Sequence, residues 1–170
     1  WNNPENWSEG LPAAGGTAVI APGVFAEATN LNIDFNLINQ GQITLGGVSL
    51  KLNELVSNSG ALRITASLVE FNSVFLNSGI VSLSGIIDIN NGALVDNQPN
   101  GTLATQPEST VRINGGYVYN KGSLVNYGLI QSWPGGYTEN KIGGVIYNIG
   151  GFGYYAEQVY EVIQSNTADG

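Results

Sequence analysis

The sequence contains no cysteine, no histidine and no methionine. Without cysteine there is no disulfide and no thiolate metal site, and thiols give no reading of the redox environment. Without histidine or cysteine, Ser-His-Asp and Cys-His catalytic arrangements cannot form, and the usual zinc ligand sets are missing. Positive charge is scarce as well: 5 Lys and Arg stand against 13 Asp and Glu, for a net charge of −8. Nucleic acid binding needs clustered basic side chains, so no nucleic-acid partner is expected. No apolar run approaches the ~18 residues that would suggest a membrane-spanning helix. No stretch keeps helical periodicity over about ten residues. The 170 residues are one domain's length. A chain that opens on Trp1 reads as a mature form or as a domain of a larger protein.

What the sequence does have is a repeated Asn-x-Gly. It occurs at Asn39-Gln-Gly41, Asn58-Ser-Gly60 and Asn77-Ser-Gly79, 19 residues apart. A degenerate copy stands at Asn97, where Gly101 arrives late, and further copies are Asn120-Lys-Gly122, Asn126-Tyr-Gly128 and Asn148-Ile-Gly150. A fixed period near 20 is the signature of a solenoid, in which each repeat is one coil.

The apolar residues share that period. Leu37, Val56, Phe75, Val95, Val118 and Ile146 stand two residues before an Asn; Ile43, Leu62, Val81, Leu124 and Phe152 stand four after one. Around them apolar and small or polar residues alternate, which reads as short strands with one face buried, about three to a coil. The expected fold is all-β: a parallel β-helix of about six coils of 19–23 residues. Residues 1–32 would form a Trp- and Pro-rich cap and first coil, 33–150 the coils, and 151–170 a last coil and tail, all in a single domain.

The Asn residues have a structural reading. Asn and Gly both tolerate left-handed backbone, which suits a sharp corner. Stacked coils also bring equivalent residues about 4.8 Å apart, close enough for Asn amides to form a ladder. Asn39, Asn58, Asn77, Asn97 and Asn120 are therefore assigned to a structural ladder rather than to a ligand site.

The segment "LVSNSGALRITASLVEFNSVFLNSGIVSLSG" resembles the repeats of filamentous-haemagglutinin-type proteins. The opening "WNNPENWSEGLPAAGGTAVIAPG" is similar to the start of many secreted bacterial β-solenoid repeat regions. The resemblance covers Leu37–Gly92 and, more loosely, Val118–Gly128, and the regular array breaks after Asn97. It implies a right-handed parallel β-helix in a secreted, surface-displayed adhesin.

Chemistry is thin. Asp34, Glu54, Glu70, Asp88 and Asp96 are the carboxylates available for glycoside hydrolysis, but none recurs or clusters in the sequence. A polysaccharide lyase would need an acidic cluster and a basic proton acceptor, and Lys51, Arg63, Arg112, Lys121 and Lys141 are scattered. Arg63 and Arg112 read as equivalent outer positions in different coils. Asp88-Ile-Asn90-Asn91-Gly92 has a faint oxygen-ligand look but lacks the later bidentate Glu of a calcium loop, so no metal or cofactor is assigned.

Aromatic side chains are the remaining candidates. Trp133 and Tyr137 could stack on a glycan. Trp7 reads more simply as part of a cap that closes the core. The ends of a solenoid carry unpaired backbone groups that template pairing with another chain. Trp1, Trp7 and Phe25 at one end, and Phe152, Tyr154, Tyr155, Val159 and Tyr160 at the other, are the candidate interface for a homo-oligomer or filament.

The sequence thus points to an extracellular or cell-surface structural or adhesive solenoid, not an enzyme. A carbohydrate-binding module that touches cell-surface glycans is the second reading, and a polysaccharide lyase or glycosidase the third.

Overall fold

A computed structural model describes residues 12–154. All their regular structure is strand, and every strand pairing is parallel. The chain winds through seven coils, one more than the motif count suggests. Coil one holds β1 (Thr17–Ile20), β2 (Phe25–Thr29) and β3 (Asn32–Ile33). Coils two to four hold β4 (Asn36–Asn39) and β5 (Gln42–Leu52), β6 (Val56–Asn58) and β7 (Ala61–Phe71), and β8 (Val74–Asn77) and β9 (Ile80–Ile89). Coil five holds β10 (Leu94–Asn97), β11 (Thr102–Thr105) and β12 (Thr110–Ile113). Coil six holds β13 (Tyr117–Asn120), β14 (Ser123–Asn126) and β15 (Leu129–Ser132). Coil seven holds β16 (Tyr137–Asn140), β17 (Val145–Asn148) and β18 (Gly151–Tyr154). The fold class is a parallel β-solenoid.

Three faces follow from the pairing. The first is the seven-stranded sheet β1-β4-β6-β8-β10-β13-β16. The second runs from β2 through the leading halves of β5, β7 and β9 to β11, β14 and β17. The third runs from β3 through the trailing halves of the same long strands to β12, β15 and β18. In β5 and β9 the bend between the second and third faces falls at Gly47 and Gly85, whose φ angles of 116° and 110° suit glycine alone. In coil five a turn, Gln106–Ser109, replaces that bend and splits the strand in two.

Alternation of buried and outward residues sets the register, because a slip of one residue would turn every apolar side chain outward. Leu37, Val56, Phe75, Val95 and Val118 line one buried column, and Ile43, Leu62, Val81, Leu103 and Leu124 another. Two assignments made from the motif change. Ile146 aligns with Leu124 on the second face, and Phe152 aligns with Ile130 on the third. Both shift because Asn148 belongs to a different corner from Asn120.

The glycine of Asn-x-Gly also has a different reason from the one expected. Gly41, Gly60, Gly79, Gly101 and Gly122 are not among the residues with positive φ. They are required because coils touch there. A Cβ built on Gly79 would overlap the carbonyl oxygen of Gly60, and one on Gly60 would overlap that of Gly41. Backbone, unlike a flexible side chain, cannot step aside. Gly79→Ala should therefore destabilise by about 3 kcal/mol through overpacking, measured by chemical denaturation. A variant as stable as the parent would contradict this account of the corner.

Candidate interaction surfaces

The corners carry polar ladders. At the first-to-second corner, Asn39 Nδ2 donates to Asn58 Oδ1 at 2.6 Å, and Asn58 donates to Asn77 at 2.8 Å. Asn77 donates to Asn97 at 2.8 Å, Asn97 to Asn120 at 2.7 Å, and Asn120 to Asn140 at 2.7 Å. Each of the five donors also gives a hydrogen bond to a backbone carbonyl of the next coil, at 3.0–3.3 Å. The five asparagines named from the sequence are buried and occupy this one column. Their burial is tolerable because each amide has protein partners where water cannot reach.

Two further ladders escaped the sequence reading. At the second-to-third corner, Thr105 Oγ1 donates to Asn126 Oδ1 at 2.6 Å, and Asn126 donates to Asn148 at 2.8 Å. Earlier coils fill that column with Leu45, Ile64 and Leu83. At the third-to-first corner, Asn90 donates to Asn72, Asn72 to Asn53, and Asn53 to Asp34, at 2.6–2.7 Å. That column continues through Asn114 to Trp133, each donating its backbone N–H one coil back.

Of the five candidate carboxylates the structure brings together one pair, Glu70 and Asp88, register partners on adjacent strands of the third face, each held by a basic side chain. On the third face, Arg112 makes a two-pronged pair with Asp88, both contacts 2.6 Å, and Lys51 pairs with Glu70 at 2.9 Å. Bonding to Asp88 raises the Arg112 pKa above its ordinary value. Asp96 lies on the first face, paired with Lys121 at 3.0 Å and bonded by Gln98. Asp34 sits in a corner ladder and Glu54 is exposed. Arg63 and Arg112 are not equivalent: Arg63 is on the second face, in register with Thr44 and Ser82, and Arg112 is on the third. No group of three or more acidic residues among the described residues could hold a metal ion. The described residues also contain no helix long and apolar enough to cross a membrane.

The aromatic candidates separate. Trp133 opens a corner turn closed by the N–H of Gly136 on its carbonyl, 2.8 Å, and is exposed. Tyr137 lies on the first face instead, edge-on to Tyr119 with centroids 6.4 Å apart. Tyr117, on the same strand as Tyr119, completes a cluster at another 6.4 Å. Lys141 lies over the Tyr119 ring at 4.6 Å and pairs with Glu139. Tyr117 and Tyr119 were not singled out from the sequence, although Tyr117 and Tyr137 are register partners.

Outside this cluster the first face is mixed: Ile38, Leu55, Val74, Leu76 and Leu94 point outward and are half-buried, but Thr17, Asn36, Ser57 and Asp96 share the same two outward columns, and Leu76 is flanked in register by Ser57 and Asp96.

At the ends, Phe25 is 58 % exposed on β2. Phe152 and Tyr154 lie on β18, their backbone in register with Ile130 and Ser132. Trp1, Trp7, Tyr155, Val159 and Tyr160 lie outside the described residues. No protein-family model, curated protein or solved structure matches this chain.

Proposed function

We propose that this chain is a secreted structural or adhesive β-solenoid, displayed outside the cell, that associates with copies of itself end to end. The supporting observation is the state of its two end coils. Among the described residues, β1 to β3 and β16 to β18 pair on one side only. The same two coils hold seven of the 13 exposed large apolar side chains: Val19, Val24, Phe25, Ile142, Val145, Tyr147 and Ile149. In mid-stack each outward side chain is flanked by neighbours about 4.8 Å above and below. Among the described residues an end coil has one of them only, and we propose that a second copy supplies the other along with strand hydrogen bonds.

The resemblance to filamentous-haemagglutinin-type repeats and the acidic, low-charge composition support the extracellular setting. A non-catalytic role is proposed because four of the five candidate carboxylates are bound to other side chains, and the two that are register partners, Glu70 and Asp88, are each paired with a base.

Sedimentation velocity tests the reading. The protein should form a concentration-dependent series of species. Changing Phe25 and Tyr147 to Lys should abolish that series. A parent protein that stays monomeric at high concentration contradicts it.

A further inference from the structure

We propose that Asn91 is a self-modifying site, where the chain converts a side-chain amide to an aspartyl or isoaspartyl linkage with water as the only co-reactant. The reaction is independent of the end-to-end contact.

The chain has three Asn-Gly dipeptides: Asn91-Gly92, Asn100-Gly101 and Asn114-Gly115. Asn followed by Gly is the reactive order, because Gly has no Cβ to block the approach of its nitrogen and its backbone rotates freely. The Gly nitrogen attacks the Asn Cγ, and a C–N bond forms in a five-membered imide. The Cγ–Nδ2 bond breaks, and the amide leaves as ammonia with the proton of the attacking nitrogen. Water then opens the ring at either carbonyl. One opening leaves Asp in place of Asn. The other routes the main chain through the side chain and lengthens it by one methylene. Neither oxidant nor cofactor takes part.

Geometry separates the three sites. Asn91 and Gly92 are both exposed, at the third-to-first corner between coils four and five. Gly92 has a φ of 80°, and no atom lies within 4 Å of the place a Cβ would take. Its N–H is held only loosely, by the Gly115 carbonyl at 3.4 Å. Asn90 beside it carries the ladder bond to Asn72, so reaction at Asn91 leaves the ladder standing. The turn must open for the nitrogen to reach Cγ, which costs the bond from the Ala93 N–H to the Asn90 carbonyl, 2.9 Å.

Asn100 is exposed as well, but Gly101 is buried. The Gly101 nitrogen is itself the donor that closes the turn onto the Gln98 carbonyl, at 2.8 Å, and a Cβ on this glycine would overlap the Asn77 carbonyl oxygen. Asn114 is half-buried, and the Asn91 side chain lies against Gly115. Both glycines are thus packed on a neighbouring coil where Gly92 is open.

The ladder asparagines are spared. Gln40, Ser59, Ser78, Gln98 and Lys121 follow Asn39, Asn58, Asn77, Asn97 and Asn120, so no glycine nitrogen stands next to them. Their amides are also tied to the next coil. The modification therefore adds a negative charge to one exposed corner of a chain of net charge −8 and leaves the buried columns intact.

Peptide mapping by tandem mass spectrometry, after the folded protein is held at mildly alkaline pH, tests this. Asn91 should be the first residue to gain the mass difference between amide and acid, as a mixture of aspartyl and isoaspartyl forms. Asn100 and Asn114 should lag by at least about fivefold, the weight of one further hydrogen bond to break. In urea that unfolds the chain, the three should react at similar rates, because only the fold distinguishes them. Asn91→Gln, whose longer side chain closes a ring far more slowly, should remove the fast phase of ammonia release and leave the circular dichroism unchanged. Asn100 or Asn114 reacting first in the folded protein overturns the proposal, as does even reaction at all three. An Asn91 that stays intact in the folded protein over the time in which it reacts in urea overturns it too.

Discussion

Phe75→Ala should cost about 3–5 kcal/mol of folding stability, the range for removing a large buried aromatic. Phe75 is 1 % exposed and meets Phe71 edge-on, with centroids 5.1 Å apart and planes at 89°. The loss should fall toward the upper end because the site cannot collapse. A cavity of about 20 Å³ already lies beside these rings, bordered by Val95 and Val118 in the thinner coils that follow. Strand hydrogen bonds and corner ladders fix the spacing of successive coils, so neighbouring coils cannot close over the gap. Denaturant unfolding followed by far-ultraviolet circular dichroism gives the number. A loss under about 1 kcal/mol would mean that the core relaxes freely, against what dense packing allows.

Asn77→Ala should cost about 3 kcal/mol by a different route. Asn77 is fully buried; it accepts from Asn58 Nδ2 at 2.8 Å and from the Gly79 N–H at 3.2 Å. It donates to Asn97 Oδ1 at 2.8 Å and to the Thr102 carbonyl at 3.1 Å. Truncation strands the Asn97 oxygen where water does not reach and takes a donor from the Thr102 carbonyl, while the Gly79 N–H keeps the Asn58 carbonyl at 3.2 Å; a buried orphan costs roughly 1–3 kcal/mol. Asn77→Asp is the sharper test. A carboxylate there offers no donor to the Asn97 oxygen and buries an uncompensated charge, so it should be worse than Ala near pH 7 and recover in acid as it is protonated. If Ala and Asp are equally mild, the ladder is a by-product of coil stacking and not a source of stability.

The fold was legible because its period is carried twice, by asparagine and by the apolar residues before and after it. Asn39, Asn58 and Asn77 repeat at 19, and the strands they end stack in register. Asn140 was missed although the signal existed. Its glycine, Gly144, stands four residues on, at the same offset as Gly101 from Asn97, because both coils insert two residues before the glycine. Asn126 and Asn148 carry the same tripeptide as the main column but sit at another corner, so a motif alone could not tell their ladders apart. The physical role of the glycine was not legible either. Close approach of two coils and left-handed backbone both demand glycine, and only the stacked geometry separates them.

The surface was harder to read than the core, because outward residues are not constrained by a shared interior. Tyr137 was grouped with Trp133 by nearness in sequence, whereas its structural neighbours are Tyr119 and Tyr117, a full coil earlier. Recognising that cluster requires the coil length between Asn120 and Asn140, and this length is obscured once Asn140 is overlooked.

The central claim is that this solenoid works by joining its ends. Negative-stain electron microscopy of the purified protein tests it most directly. Unbranched fibres should form and should vanish when Phe25 and Tyr147 are changed to Lys. Grids of the concentrated parent protein without elongated particles would contradict the claim.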